Sequence, residues 1–462
     1  MDLTGAEPRP LWWDVVPSER TRAIAQSSEV DVVVVGGGFT GLWCAFHLAS
    51  LDPSLDIVVL EGSHVGFGAS GRNGGWCHAA YPLGYAQLVA DHGKDAADRH
   101  TAALNQSVAD IGRIVAEEGI DCDFAPGGVL GVARLPFQVG YAKEEVAEAR
   151  AQGFGEDEVR FLDREEARAA LNGSDVLAGI WHAFGAAVHP ARLAHGLAAA
   201  AERRGVRIFE GSRVLQIGDG WVETEAARIT AKEVVLATEG YTARLPGRRR
   251  DVVPLYSHMI ATEPLPDDVW EDIGLRDRPT FHDYRNALIY GQRTADGRLA
   301  FGGRGAPYHW GSTIEDGFDA YTPIHEELVR VLTSLLPQVE GFQVTHRWGG
   351  PLGVTRDWRP FVVREPGFSK AGGYVGDGVA TAQLAGRTLA HLIADTGDPI
   401  TRLPWVGHRS RRWEPEPIRW MGIRSGLRLA KWADRMEERT QRPSSLSAVG
   451  NWLRGKRAKI QV

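Results

Sequence analysis

The strongest constraint on this chain is the segment 30–61, which reads VDVVVVGGGFTGLWCAFHLASLDPSLDIVVLE. The β-branched run at 32–35 predicts a strand that is buried on both faces of a parallel sheet. Three glycines with the spacing G-x-G-x-x-G follow, and the apolar residues of 39–50 recur at helical spacing. A second apolar run at 57–60 ends on Glu61. This order of strand, glycine turn, helix, strand and acid predicts a dinucleotide-binding unit.

The three glycines have different physical roles in such a unit. Gly36 permits the tight turn, Gly38 lets the backbone approach a pyrophosphate, and Gly41 lets the helix pack closely on the strand. The first N–H groups of the helix, including those of Phe39 and Thr40, lack acceptors within a helix. Together with the helix dipole, they favour the two negative charges of a pyrophosphate.

The acid at the end of the second strand selects among nucleotides. Glu61 follows Gly41 by twenty residues. A carboxylate at this position can accept hydrogen bonds from both ribose hydroxyls of an adenosine. The 2′-phosphate of NADP would meet a like charge there, so the sequence disfavours NADP.

Length and composition limit the classes of protein to be considered. The 462 residues suffice for two or three domains, and the net charge of −7 argues against a general nucleic-acid binder. Three cysteines are too few for a disulfide framework, and no apolar run of about 18 residues predicts a transmembrane segment. We therefore expect a cytoplasmic protein. No metal site is expected, because Val329 stands where a zinc-protease motif beginning at His325-Glu326 needs its second histidine.

A second glycine-rich sequence, GASGRNGGW at 68–76, is more specific than the first. Together with VVVVGGGFTGLWCAFHL and VVLE, it resembles the D-amino-acid-oxidase-like (DAO) family of FAD-dependent oxidoreductases, in its gamma-glutamylputrescine-oxidase-like branch. The resemblance implies FAD as the cofactor. It also implies that this loop runs beside the ribityl chain and the isoalloxazine ring, with contacts from Ser70, Arg72, Asn73, Gly74 and Gly75.

The resemblance implies further cofactor contacts in two later segments. The strand ending in EVVLATEG makes Ala237 and Thr238 candidate contacts, and Val214 opens a short strand of the same region. In AGGYVGDGVATAQLAGRTL, a glycine turn and helix start are expected beside the flavin pyrimidine ring. That turn contributes Gly376, Asp377, Gly378 and Val379. Asp377 departs from the family pattern and is also suited to hold the ribityl hydroxyls, so its role stays open.

The order of the elements predicts an α/β protein of two interleaved domains. One is a glutathione-reductase-type FAD-binding Rossmann domain, and the other is an α+β domain built on a mostly antiparallel sheet. The expected boundaries are an N-terminal lead at 1–28, FAD-domain parts at 29–82, 185–245 and 349–400, a mainly substrate-domain insertion at 83–184, the substrate sheet at 246–348, and a Trp/Arg-rich extension at 401–462.

The extension carries an amphipathic basic helix pattern around Trp420 and Leu427. Such a helix can lie on an anionic membrane, but docking on the body or on a subunit partner is favoured. The extension is therefore a candidate surface for a homodimer.

By resemblance, the reaction is oxidation of the CH–NH group of a small amine or amino acid, such as a polyamine derivative like gamma-glutamylputrescine. Hydride passes to flavin N5, the imine is hydrolysed, and oxygen or another acceptor takes the electrons. A desolvating aromatic wall would deliver the amine uncharged. The aromatic residues expected in this wall are Trp76, Tyr256, Phe281, Tyr284, Tyr290 and Trp348.

Two further residues are candidates for the site. The sequence W-C-H-A-A is similar to the W-H-A-A segment of dimethylglycine-dehydrogenase-like relatives, in which the histidine bonds covalently to FAD. Because Cys77 shifts the spacing here, His78 is expected near the ring without a covalent bond, or else as a packed core histidine. Arg285 is the preferred partner for an amino-acid carboxylate, ahead of Arg293 and Arg347.

Two other functions stay open at this point. An NAD-linked dehydrogenase could use the same βαβ unit, and it would purify colourless, whereas a flavoprotein is yellow. A flavin-bearing partner protein could instead dock through the Trp/Arg-rich extension without catalysing a reaction.

Overall fold

The computed structural model describes residues 1–16, 23–304 and 308–445. Ten α-helices and eighteen strands form in these residues. The helices are α1 (Phe39–Leu51), α2 (Tyr85–His92), α3 (Lys94–Glu117), α4 (Gln138–Ala151), α5 (Arg164–Ala170), α6 (Pro190–Glu202), α7 (Asp267–Ile273), α8 (Thr322–Leu335), α9 (Gly378–Ile393) and α10 (Ile418–Thr440). The strands are β1 (Ser28–Val35), β2 (Ile57–Leu60), β3 (Trp76–His78), β4 (Val129–Ala133), β5 (Val159–Leu162), β6 (Ala178–His182), β7 (Gly185–Ala187), β8 (Arg207–Phe209), β9 (Gln216–Gly218), β10 (Trp221–Glu223), β11 (Arg228–Leu236), β12 (Val253–Thr262), β13 (Thr280–Asp283), β14 (Ile289–Arg293), β15 (Leu299–Arg304), β16 (Val344–Val354), β17 (Phe361–Glu365) and β18 (Phe368–Gly372).

The first large sheet has the order β17-β18-β11-β1-β2-β8, with β10 and β9 attached at β11. Strand β1 lies between β2 and β11 and pairs in parallel with both. Val32 and Val34 pack into the apolar cluster that includes α1 and α9, whereas Val33 and Val35 pack into the cluster on the opposite face. The unbroken valine run is therefore buried on both sides of a parallel sheet, as the sequence predicts.

The second large sheet has the order β16-β12-β15-β14-β13-β4-β6-β5. All its neighbouring pairs are antiparallel except β13 with β4. A Rossmann-type α/β sheet with a second, mostly antiparallel sheet is the predicted fold class, and it is confirmed. Strand β16 runs on to Val354, past the position 348 at which the sequence suggests a boundary.

Helices α1 and α9 pack side by side on the first sheet with very little space between them. At Gly386, a Cβ atom would lie 2.6 Å from Trp43 Cβ and 2.7 Å from the Cys44 nitrogen. Near the start of both helices, the hydroxyl groups of Thr40 and Tyr374 form a 2.9 Å hydrogen bond. Two helix N-termini that are distant in sequence therefore begin side by side.

The two ends of the chain pack onto this body. Leu11 and Trp12 in the N-terminal lead are 7% and 2% exposed, so this part of the lead belongs to the packed structure. Helix α10 leaves Ile418, Met421, Trp432 and Met436 exposed on its outer side. These side chains belong to the expected homodimer surface, which stays a prediction, and residues 446–462 of the extension lie outside the described residues. Across the described ranges, no helix is both long enough and apolar enough to cross a membrane.

Asp434 fixes α10 to the substrate sheet, and its removal tests that attachment. Its carboxylate accepts hydrogen bonds from the Asn286 backbone N–H at 2.6 Å, the Asn286 side-chain amide at 3.0 Å and the Ala287 N–H at 2.9 Å. Asp434→Ala leaves these buried donors without an acceptor and should lower the free energy of unfolding by about 2–3 kcal/mol, measured by urea denaturation. The exposed neighbour Arg435→Ala should change it by less than about 0.5 kcal/mol. Equal stability of the two variants would disprove the attachment.

Candidate active site

The glycine turn after β1 has no room for side chains. Gly36 has a φ of +113°, and a Cβ atom there would lie 2.5 Å from the Ala237 carbonyl oxygen. A Cβ on Gly38 would lie 2.8 Å from Ser70 Oγ, and one on Gly41 would lie 2.1 Å from the Gly36 carbonyl oxygen. The turn therefore lies directly against the end of β11, and α1 starts close to β1.

Two side chains organise the start of α1. Ser70 Oγ accepts a 2.8 Å hydrogen bond from the Phe39 N–H, so the 68–76 loop is joined to the glycine turn. The Glu61 carboxylate accepts hydrogen bonds from the N–H groups of Gly37, at 2.8 Å, and Ser63, at 2.9 Å. Burial raises the pKa of Glu61, and these two N–H groups act in the opposite direction. The acid thus lies at the turn, where the nucleotide hypothesis requires it.

The residues expected from the later segments end up around the same turn. The Ala237 N–H donates to the Val35 carbonyl at 2.9 Å, and Thr238 Oγ1 hydrogen-bonds Thr242 Oγ1 at 2.8 Å. Val214 packs in the same apolar cluster as Leu60. The carboxyl ends of β1, β2 and β11 therefore meet at one edge of the sheet, which is where ligands bind in open α/β sheets.

Two tryptophans hold the Arg-Asn-Gly-Gly loop from opposite parts of the chain. Trp12 Nε1 donates to the Asn73 carbonyl and Trp348 Nε1 donates to the Arg72 carbonyl, each at 2.8 Å. The Arg72 guanidinium is paired with Asp319 and lies over the Phe67 ring, 4.4 Å from its centroid. The position of the loop is consequently set by the N-terminal lead and by β16.

The glycines of this loop allow the substrate sheet to approach its backbone. A Cβ on Gly74 would lie 2.6 Å from Tyr290 Cε2, so the Tyr290 ring lies directly over it. Gly75 has a φ of +70°, and Gln292 Nε2 donates to the Gly74 carbonyl at 2.6 Å. The Tyr290 hydroxyl hydrogen-bonds Ser257 Oγ at 2.8 Å, which fixes the ring in this position.

The expected turn at 376–379 leads directly into α9. Gly376 has a φ of +106°, Asp377 precedes the helix, and Gly378 and Val379 are its first residues. The loop before this turn is held by Glu239, whose carboxylate accepts hydrogen bonds from the N–H groups of Gly353, Gly373 and Tyr374. Burial raises the pKa of Glu239 to about 7, although these N–H groups lower it.

The expected aromatic wall divides between the two faces of the substrate sheet. Tyr290 and Trp348 face the glycine-rich loop, and Trp76 lies 5.6 Å from Tyr290 between ring centroids. Phe281 is on the opposite face, stacked on Phe301 in the core, and Tyr256 packs against Phe318. Side chains alternate along a strand, so Phe281 and Tyr256 point away from the glycine-rich loop. The prediction that they belong to the aromatic wall is therefore wrong. Tyr284 follows β13, and its hydroxyl donates to Glu145 at 2.8 Å.

His78 and Arg285 have very different surroundings. His78 is in β3, 6.1 Å from Trp76 between ring centroids, and burial lowers its pKa to about 3, so the ring is neutral near pH 7. Arg285 Nε donates to the Asp283 carboxylate at 2.9 Å. Arg285 also borders a 170 Å³ cavity between α8 and α10. The structure therefore brings His78 close to the aromatic wall but directs Arg285 towards α10.

This arrangement fits FAD. The bare turn, the helix start of α1 and the Glu61 carboxylate suit the pyrophosphate and the adenosine ribose. Beside the glycine-rich loop, Gln292 Oε1 and His78 Nδ1 are buried without a hydrogen-bond partner in the described part of the chain. Buried polar atoms usually have partners, so these two are available for hydrogen bonds to a cofactor bound beside the loop.

Comparison with known proteins agrees with this geometry. The family model described as DAO, FAD dependent oxidoreductase, matches residues 31–392. The chain belongs to the DAO family of FAD-dependent oxidoreductases. The resemblance noted in the sequence is therefore confirmed, and this DAO-family protein is an enzyme that uses FAD.

Several relatives are similar along most of the chain. Gamma-glutamylputrescine oxidoreductase of Escherichia coli is 32% identical, over 82% of this chain and 88% of the relative. A probable oxidoreductase, OrdL, of Rhizobium meliloti is 31% identical, over 82% and 87%. Among solved structures, glycine oxidase from Geobacillus kaustophilus aligns with a TM-score of 0.68 at 21% identity, covering 82% of this chain and 99% of that one. The structural likeness supports the fold.

Sequence reasoning missed several charged residues of this site. Glu239 lies in the A-T-E-G sequence, of which only Ala237 and Thr238 were predicted as cofactor contacts. An acid just after a buried strand is the signal that could have identified Glu239 as a site residue. Asp319 and Glu145 lie in segments of ordinary polar composition. Their partners are Arg72 and Tyr284, which are 247 and 139 residues away in the chain, so no local pattern marks them.

Gly41 provides a direct test of the nucleotide turn. Gly41→Ala would place a Cβ against the Gly36 carbonyl and should weaken FAD binding at least about tenfold, equal to about 1.4 kcal/mol. The measurement is flavin absorbance per protein during titration of flavin-stripped enzyme with FAD. Gly140→Ala, in α4 with open space around the added methyl, is the matched control and should bind FAD like the wild type. Unchanged affinity in Gly41→Ala would contradict this account of the turn.

Proposed function

We propose that this enzyme oxidises the CH–NH group of a small amine, with a polyamine derivative such as gamma-glutamylputrescine as the narrower candidate. The observation that carries the proposal is the aromatic contact over the glycine-rich loop, where the Tyr290 ring lies over Gly74 and the Trp76 ring lies 5.6 Å from that of Tyr290. When bound, FAD supplies the hydride acceptor for this reaction. The relative named gamma-glutamylputrescine oxidoreductase supports the narrower substrate.

The aromatic side chains have two roles in this proposal. They exclude water from the amine, which lowers its pKa and favours the neutral form that can release hydride. Before that step, their π faces attract the cationic form of the amine from solution. Trp348 and Trp12 hold the loop through its carbonyl groups, so they act as positioning residues.

The arginine contacts favour an amine over an amino acid. The Arg285 guanidinium is paired with Asp283, and that of Arg293 lies 4.7 Å from the centroid of the Trp270 ring. Arg347 donates to the Ala320 carbonyl at 2.8 Å. Recognition of an amino-acid carboxylate requires a guanidinium that is directed at the substrate. These three arginines have other partners, so an amine whose reacting carbon carries no carboxylate is the better fit.

Anaerobic reduction of the bound flavin tests the proposal. A panel of primary amines, secondary amines and amino acids is mixed with the enzyme, and bleaching of the flavin bands is followed. At least one amine should bleach the flavin completely and faster than any amino acid, and oxygen or another acceptor should restore the colour. Faster bleaching by amino acids than by every amine would contradict the proposal.

A further inference from the structure

Three side chains of the kinds that bind metal ions meet where the N-terminal lead lies against β16. They are Glu7 and Asp14 of the lead and His346 of the strand, and one ligand atom from each lies within 4.8 Å of the other two. The Glu7 N–H donates to the Thr345 carbonyl at 2.8 Å, and the Arg347 N–H donates to the Glu7 carbonyl at 2.9 Å. Backbone pairing therefore fixes Glu7 beside His346. We call Glu7, Asp14 and His346 the lead cluster.

The histidine of the lead cluster presents an unused nitrogen atom to the acids. His346 is 4% exposed, and its Nε2 atom makes no hydrogen bond within the described ranges of the chain. Asp14 Oδ2 lies 3.2 Å from Nε2 but is not aligned as a hydrogen-bond partner. Because buried polar atoms usually have partners, Nε2 is available to a ligand that binds between the ring and the carboxylate.

The other ring nitrogen of His346 already has a partner. Nδ1 lies 2.9 Å from Thr345 Oγ1. That hydroxyl accepts a hydrogen bond from Arg298 Nη1 at 3.1 Å and donates its own hydrogen to the Thr262 carbonyl at 3.3 Å. Thr345 Oγ1 is therefore an acceptor for His346, and Nδ1 carries the proton of the neutral ring. Nε2 then has a lone pair, as in histidines that bind a metal through one nitrogen and donate through the other.

The two carboxylates of the lead cluster share one cation, Arg9. Its Nε atom lies 2.6 Å from Glu7 Oε2, and its Nη2 atom lies 2.7 Å from Asp14 Oδ1. The Asp14 oxygen that faces His346 is the other one, Oδ2. Two carboxylates and one guanidinium leave a net negative charge, which attracts a further cation. Carboxylates that bind metals are commonly hydrogen-bonded by a neighbouring side chain in this way.

The lead cluster is open to solvent on the side of the acids. The Glu7 and Asp14 side chains retain 51% and 31% of their accessible surface, whereas His346 is buried. A metal ion can therefore enter from solvent, and a water molecule can complete its coordination. One imidazole and two carboxylates are a ligand set that suits Zn²⁺, whereas Mg²⁺ and Ca²⁺ prefer sites made only of oxygen atoms.

We propose that the lead cluster is a zinc site, in which Zn²⁺ is bound by His346 Nε2 and by one carboxylate oxygen from each of Glu7 and Asp14. The sequence predicts no metal site, because no local motif joins the lead to β16. Asp14 follows Trp12 by two residues, and His346 precedes Trp348 by two. These two tryptophan rings lie 6.2 Å apart and hold the Arg-Asn-Gly-Gly loop. Bound zinc therefore fastens the lead to β16 beside the residues that position this loop.

Competition with a chromophoric zinc chelator tests this site in the FAD-loaded enzyme. The wild type should bind Zn²⁺ at the cluster, and equal concentrations of Mg²⁺ or Ca²⁺ should not displace it. Asp14→Asn keeps the shape of the side chain but removes a carboxylate ligand, so it should raise the zinc dissociation constant at least about tenfold. Asp2→Asn is the matched control, because it makes the same change in the lead outside the cluster, and it should bind zinc like the wild type. Equal zinc affinity in Asp14→Asn and the wild type would overturn the proposal.

His346→Gln tests the buried ligand by a second measurement. Substitution of a buried residue changes stability by itself, so the readout is the shift in melting temperature that zinc produces within each variant. Excess Zn²⁺ should raise the melting temperature of the wild type and of Asp2→Asn, and it should leave His346→Gln and Asp14→Asn unchanged. If zinc produces no shift in the wild type, the cluster is only an ion pair between Asp14 and a protonated His346. The same shift in all four proteins would assign zinc to another site, and either result overturns the proposal.

Discussion

The close packing of α1 against α9 is the interaction on which the rest of this enzyme depends. Because Gly386 has no Cβ, the backbone of α9 lies directly against Trp43 and Cys44 of α1 at this residue. Buried contacts of this kind cannot accept even one methyl group unless the backbone moves. As a consequence, one helix start from the N-terminal part of the chain and one from the C-terminal part lie at the same edge of the sheet. Two helix dipoles are then directed at a single cofactor site, together with the N–H groups of both helix starts except that of Phe39, which donates to Ser70 Oγ.

The substrate side depends on this frame through a small number of long-range hydrogen bonds. Trp12 and Trp348 hold the Arg-Asn-Gly-Gly loop, and Glu239 holds the loop that leads into α9. None of these bonds lies within one element of secondary structure. They join the N-terminal lead, β16 and the end of β11 to the cofactor edge, so the reacting groups are positioned by rigid elements.

The sequence alone predicts those parts of the molecule whose structure is determined by interactions between neighbouring residues. The valine run, the G-x-G-x-x-G spacing and Glu61 predict the βαβ unit, because burial on both faces and the glycine turn leave few alternatives. Pairings between distant segments could not be predicted in this way. Phe281 and His282 are adjacent, yet only His282 faces the loop, and a shift of one residue in register would reverse this. Arg285 differs for a local reason: its guanidinium pairs with Asp283, which is only two residues earlier in the chain, and this ion pair directs it away from the aromatic wall.

The most direct measurement is the affinity of Gly386→Ala for FAD, determined by calorimetric titration of flavin-stripped enzyme. Gly386 lies in the middle of α9, so a methyl group there alters the cofactor site only by separating α9 from α1. We predict that the dissociation constant of Gly386→Ala is at least about tenfold above that of the wild type. Gly426→Ala in α10, where the added methyl meets open space, should leave it unchanged. Equal dissociation constants for Gly386→Ala, Gly426→Ala and the wild type would contradict the claim that this contact positions the cofactor site.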